Sequence, residues 1–99
     1  MKRTVVRYKT KPDQSQENER LVRQVFQELE AKAPNGVRYL ALRLEDGSFV
    51  HFSAVEDGAP SIPSLDAFRA FQGGIKERCL EPPQSREATI IGNYRMVDE

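Results

Sequence analysis

The sequence predicts an α+β fold: a ferredoxin-like βαββαβ sandwich whose four antiparallel strands run in the order 4-1-3-2, with two helices on one face. Three observations carry that expectation. Two β-type runs between Val37 and Val55 are joined through Asp46-Gly47 as a hairpin, a strongly amphipathic helical stretch precedes them, and a second helical stretch followed by β-type residues completes the chain. Ninety-nine residues with 38% apolar content suit one domain, residues 1–99, with a core of modest size.

Thr4 to Lys9 is β-branched and aromatic and is closed by Pro12-Asp13, which reads as the first strand and its exit. Val6 and Tyr8 fall on one side; Val5, Arg7 and Lys9 fall on the other, assigned here to solvent. From Gln14 to Ala33, Leu21, Val22, Val25, Phe26, Leu29 and Ala33 form one stripe at helical spacing. Asp13 with Gln16 has the spacing of a capping box, and Pro34-Asn35-Gly36 supplies the stop. Glu17, Glu19, Arg20, Arg23, Gln27 and Glu30 make the opposite, solvated face.

The hairpin's turn decides which side chains share a face, because opposed residues in an antiparallel pair point the same way. A two-residue turn would set Leu42 opposite His51 and mix apolar with polar groups on both faces. A three-residue turn, Glu45-Asp46-Gly47 with Gly47 left-handed in a bulge, sets Leu44 opposite Ser48. Leu40, Leu42 and Leu44 then share a face with Val50, Phe52 and Ala54, and Tyr39, Ala41 and Arg43 share the other with Phe49, His51 and Ser53. The clean segregation favours the bulged turn.

Glu56 to Pro63 is a loop by its Gly and Pro content. Ser64 is the expected N-cap of a second helix whose stripe is Leu65, Phe68, Phe71, Ile75 and Cys79, interrupted at Gly73-Gly74, since two glycines cost about 2 kcal/mol of helix propensity. Leu80 to Glu87, with its Pro82-Pro83 pair, reads as a connecting loop. Ala88 to Val97 reads as the last strand, with Gly92 marking a bend.

In this arrangement the leucine face of the hairpin packs beneath the helices with Val6, Ile90 and Met96. The uncovered face collects Arg7, Tyr39, Arg43, Phe49, His51, Ser53, Ile91, Asn93 and Arg95. Such a mixture of apolar and hydrogen-bonding groups suits two sheets packed face to face around a small-molecule cavity, and hence a twofold homodimer. Arg7, Tyr39, Arg43, Phe49, His51, Asn93 and Arg95 are therefore the candidate pocket or dimer-face residues.

Fifteen basic and fifteen acidic residues leave a formal charge of zero, so no broad field recommends nucleic acid or an anionic membrane as partner. An RNA-recognition reading shares the topology, and Phe49-Val50-His51-Phe52 matches the tail of its aromatic signature. The head of that signature falls on Glu45, Asp46 and Gly47 and fails. Cys79 is alone and the Met-Lys-Arg start has no apolar signal core, which makes a reducing cytoplasm the expected location. No spacing suggests a metal site, and no cofactor is expected. His51 and Tyr39 are the candidate chemical groups: an imidazole that titrates near neutrality suits proton abstraction from a phenol, and Tyr39 and Tyr94 suit positioning a phenolic or carboxylate ligand. One histidine makes no constellation, so a structural or interface role for His51 is the bland alternative. Arg43 opposite Phe49 suits a cross-strand cation-π pair, and Cys79 suits a buried filler.

The hairpin from Tyr39 to His51 (YLALRLEDGSFVH), the helical Leu65-Asp66-Ala67-Phe68-Arg69-Ala70-Phe71 and the closing Gly92-Asn93-Tyr94-Arg95 resemble the dimeric α+β barrel proteins, in particular the small domains related to antibiotic biosynthesis monooxygenases. The resemblance implies sheets paired across a dimer, with a ligand cavity between the sheet and helices of each subunit; the open-face residues would then line the dimer seam. It also implies cofactor-independent oxygenation of a small aromatic or polyphenolic ligand, or an accessory or sensing dimer without catalysis. Both the quinol-oxygenating and the haem-degrading members commonly use a tryptophan with an asparagine, and this chain has no tryptophan. Its histidine lies on a strand, whereas haem-degrading members take their iron ligand from a helix.

Overall fold

In the computed structural model, which describes residues 1–97, β1 (Lys2–Thr10) leads through a short 3-10 turn at Pro12–Gln14 into α1 (Ser15–Lys32). The hairpin β2 (Val37–Arg43) and β3 (Ser48–Val55) follows, then α2 (Asp66–Gln72), the single turn α3 (Ile75–Arg78) and β4 (Cys79–Glu87). The strands are antiparallel neighbours in the order β2-β3-β1-β4, which is the expected 4-1-3-2 sheet read from its other edge.

The bulged hairpin register is present. Arg43 faces Phe49 and Leu42 faces Val50, Leu44 N–H donates to the Ser48 carbonyl, and Gly47 has φ +89°. The guanidinium of Arg43 stands 6.0 Å from the Phe49 ring centroid. Helix α1 ends in a left-handed Ala33 whose N–H reaches the Leu29 carbonyl, and Gly73 and left-handed Gly74 separate α2 from α3.

The faces are exchanged relative to the sequence expectation. Tyr8 lies opposite Phe49, and Val6 opposite His51, so Phe49, His51 and Tyr39 share the helix-covered side with Val6 and Tyr8. There Tyr8, Phe49, Leu21, Val22, Val25, Leu65, Phe71 and Ile75 form the buried core. Leu40 and Leu42, expected beneath the helices, are 46% and 50% exposed on the outer face beside Val50 and Phe52. Alternation fixes which residues travel together, and the helices select the aromatic side because Phe26 packs on Tyr39 and Phe71 on both Tyr8 and His51, with Phe68 against Phe71.

The last strand is Cys79–Glu87 and not Ala88–Val97. Pro82 and Pro83 are tolerated because β4 is an edge strand, and the ladder slips around them, between Arg7/Gln84 and Lys9/Glu81. Ile90 and Gly92 are outside any strand, and Met96 and Val97 lie beside Leu40, Phe52 and Ala54 on the outer face. Cys79 opens β4 and is half-buried, not a helical core residue, with burial raising its thiol pKa.

The expected caps are also different. Neither Asp13 nor Ser64 caps a helix with its side chain; Ser64 ends a 3-10 turn, and Gln14 and Leu65 occupy the N-cap positions. Glu28 of α1 instead accepts the Ala67 N–H (2.7 Å) and the Asp66 N–H (3.3 Å) at the start of α2. One carboxylate thereby joins the two long helices and satisfies donors that α2 cannot satisfy itself.

Candidate functional site

The centre of the molecule is a chain of hydrogen-bonded side chains lying between sheet and helices. Tyr39 Oη is 2.6 Å from His51 Nδ1, and Tyr8 Oη is 2.8 Å from His51 Nε2. Asn18 Nδ2 donates to Tyr8 Oη over 2.8 Å, and Arg78 Nε donates to Asn18 Oδ1 over 3.2 Å. Arg78 also donates to the carbonyls of Gly73 (3.1 Å) and Phe71, and its guanidinium lies over the Phe71 ring. Asn18, Tyr8, His51 and Arg78 are 0%, 2%, 5% and 7% exposed, yet no buried polar side-chain atom among the described residues lacks a partner. The chain can be buried because each member has a hydrogen-bond partner.

Each member is placed by the fold. Tyr39 and His51 come from adjacent strands in the bulged register, Tyr8 from the neighbouring strand on the same face, Asn18 from the inner side of α1, and Arg78 from the last turn before β4. Burial lowers the pKa of His51 to about 4 and raises those of Tyr8 and Tyr39, so all three rings are neutral near pH 7.

One end of this chain meets a cavity of about 500 Å³ between the sheet and α2. Tyr39, His51, Tyr8 and Ser53 stand in its sheet wall, Phe68, Phe71, Gln72 and Ile75 in its helical wall, and Ile62 and Pro63 at the loop that precedes α2. The lining is mostly apolar and aromatic with a few convergent hydroxyls, which is the makeup of a site for a flat organic molecule. A second groove, about 460 Å³ between α1 and β2, is walled by Glu19, Arg23 and Arg43, which already pair with one another. No cluster of three or more metal-ligating side chains occurs among the described residues.

Of the candidates from sequence, Tyr39 and His51 reach the cavity. Phe49 is buried core stacked on Tyr8, and Arg43 is exposed at the sheet edge and paired with Glu19. Arg7 lies exposed on the outer face of β1, and Asn93 and Arg95 lie in the exposed segment after β4. Asn93 is occupied in its own turn, accepting the N–H groups of Met96 and Val97. Tyr39, Phe49 and His51 therefore belong beneath the helices and not on the open face, and Asn93 and Arg95 are not strand residues.

Tyr8, Asn18 and Arg78 were not singled out from sequence as site residues. A signal existed for two of them. Asn18 occupies the stripe of Leu21, Val22 and Val25 at helical spacing, and Arg78 follows Phe71 and Ile75 at intervals of four and three. A polar side chain on an apolar stripe is the mark of a buried network.

With this geometry the chain can be set beside known structures. It superposes on Rv0793 from Mycobacterium tuberculosis with a TM-score of 0.72 at 14% identity, covering 93% of this chain and 96% of that one. A Nitrosomonas europaea protein provisionally named an antibiotic biosynthesis monooxygenase gives 0.70 at 13% identity, covering 91% and 89%. A further structure, named simply as an antibiotic biosynthesis monooxygenase, gives 0.64 at 12%, covering 93% and all of that chain. The protein has the ferredoxin-like α+β fold of these antibiotic biosynthesis monooxygenase-like structures. At these identities the likeness concerns the fold alone. No family model matches the sequence, and no curated protein matches it.

Proposed function

We propose that this antibiotic biosynthesis monooxygenase-like protein is a homodimer that binds a small aromatic or polyphenolic molecule in the cavity between its sheet and α2. The observation that carries the reading is the apolar, aromatic-walled space of about 500 Å³ with the Tyr39–His51 pair in its wall. Phe68, Phe71 and Ile75 offer flat contact area, and Ser53 and Tyr39 offer hydroxyls. The dimer is supported by the outer face of the sheet, where Leu40, Leu42, Val50 and Phe52 make an apolar surface without a helix above it. Calorimetric titration with 1,8-dihydroxyanthrone tests the cavity: the wild type binds it, and Ser53→Phe, which fills the space from the strand position opposite Tyr39, weakens binding at least about tenfold. Equal binding by the two proteins would place the ligand elsewhere.

The names of the structural neighbours favour a second reading, cofactor-independent oxygenation of the bound molecule. His51 is a poor base for that reaction, because both ring nitrogens are engaged by tyrosines and burial holds its pKa at about 4. Oxygen uptake with 1,8-dihydroxyanthrone that disappears in Tyr39→Phe supports catalysis; binding without oxygen uptake leaves a carrier or sensor.

A further inference from the structure

Arg78 gives the buried chain a direction. A guanidinium can only donate, so its bond to Asn18 Oδ1 fixes the amide and turns Nδ2 toward Tyr8. Nδ2 in turn can only donate, so Tyr8 Oη accepts there and places its own hydrogen on the remaining neighbour, His51 Nε2. A neutral imidazole that accepts at Nε2 carries its hydrogen on Nδ1, and that hydrogen goes to Tyr39 Oη. The hydroxyl hydrogen of Tyr39 is then the proton left over at the far end of the series from Arg78, and Tyr39 stands in the cavity wall.

We propose that Arg78 and Asn18 are positioning residues that lock His51 in its Nδ1–H tautomer, so that Tyr39 presents a hydrogen-bond donor to an acceptor oxygen, a carbonyl or phenolate, of the cavity ligand. This rests on the cavity being the binding site and adds the polarity of ligand that it takes. The same buried groups with the opposite proton order would offer the ligand an acceptor instead. Neither Arg78 nor Asn18 is among the residues lining the cavity, so their influence is exerted through the proton order of the chain.

The test is nitrogen-detected NMR of the histidine ring in the ligand-free protein, at a pH well above the His51 titration range. The wild type shows a pyrrole-type Nδ1 and a pyridine-type Nε2. In Asn18→Asp the new carboxylate pairs with Arg78 and accepts the Tyr8 hydroxyl, so the whole series reverses and the hydrogen moves to Nε2. A wild-type Nε2–H tautomer, or an unchanged tautomer in folded Asn18→Asp, overturns the proposal; the wild-type spectrum decides it even if the variant fails to fold. Binding of 9-fluorenone, which only accepts, is then compared with that of fluorene, which does neither. The wild type prefers fluorenone by about fivefold, and Asn18→Asp and Tyr39→Phe each abolish the preference. Equal binding of the two by the wild type overturns the donor role of Tyr39. Failure of both to bind overturns the cavity as the site, while the NMR result stands apart from it.

Discussion

His51 is the residue on which sequence and structure differ most instructively. A lone histidine on a β-strand reads as a surface group that titrates near neutrality, whereas here it is held between two tyrosine hydroxyls and stacked on Phe71, with centroids 5.4 Å apart. Its burial ties stability to pH. The unfolded chain takes up a proton at His51 as pH falls through about 6.5, and the folded chain resists it until about pH 4. Between those values the unfolded state binds more protons, so stability is full above the upper one and declines as pH falls through the window. The full loss is about 3 kcal/mol. Urea unfolding across this range is expected to show that slope in the wild type, and His51→Gln is expected to flatten it. The surface carboxylates Glu17, Glu19 and Asp46, whose pKa values are lowered by hydrogen bonds, begin to lose their contributions only as pH falls to about 4.5 and below, so the upper part of the histidine window reports His51 alone.

At the scale of elements, the readable features were those with a local cause. The stripe of α1, the break at Gly73-Gly74 and the three-residue turn at Gly47 are each specified by neighbouring residues, and all are present. The unreadable ones depend on distant parts of the chain. Pro82-Pro83 argues against a strand unless one knows that the strand lies at an edge, and β-type residues in Ala88 to Val97 find no free ladder to join. Which face of the hairpin the helices cover was likewise not local: both faces carry apolar groups, and the choice falls to the side whose polar atoms are satisfied by Tyr8 and Asn18. Glu28 is a cap supplied across elements that no local pattern announces. Glu28→Ala is expected to unpin the start of α2, seen as faster amide exchange at Asp66 and Ala67 and a lower thermal midpoint, with Glu28→Gln retaining part of the protection. Unchanged exchange at those amides would show that the cap is not what holds α2 over the cavity.

For the whole molecule, the sheet carries two different surfaces. Its inner face holds the aromatic cavity and the buried polar chain, and its outer face leaves Leu40 and Leu42 about half exposed beside Val50 and Phe52. The proposed homodimer covers that outer face. Replacing both Leu40 and Leu42 with glutamate sets like charges against one another across a twofold axis and is expected to give a monomer in sedimentation equilibrium, while the His51 tautomer stays as in the wild type. A double variant that remains dimeric would place the interface on another surface. The order of the sheet and the bulged register were legible from the hairpin; the inward orientation of Tyr39 and His51 was not, because it is settled by Tyr8 on β1, Phe26 on α1 and Phe71 on α2.

The most direct measurement is to map 9-fluorenone onto the isotopically labelled protein by its perturbation of side-chain NMR signals. Binding between sheet and α2 predicts that the largest changes fall on Tyr39, His51, Phe68, Phe71 and Ile75, with Leu40, Leu42 and Val50 unaffected. Changes centred on the outer-face leucines and valine instead would contradict a ligand site beneath the helices.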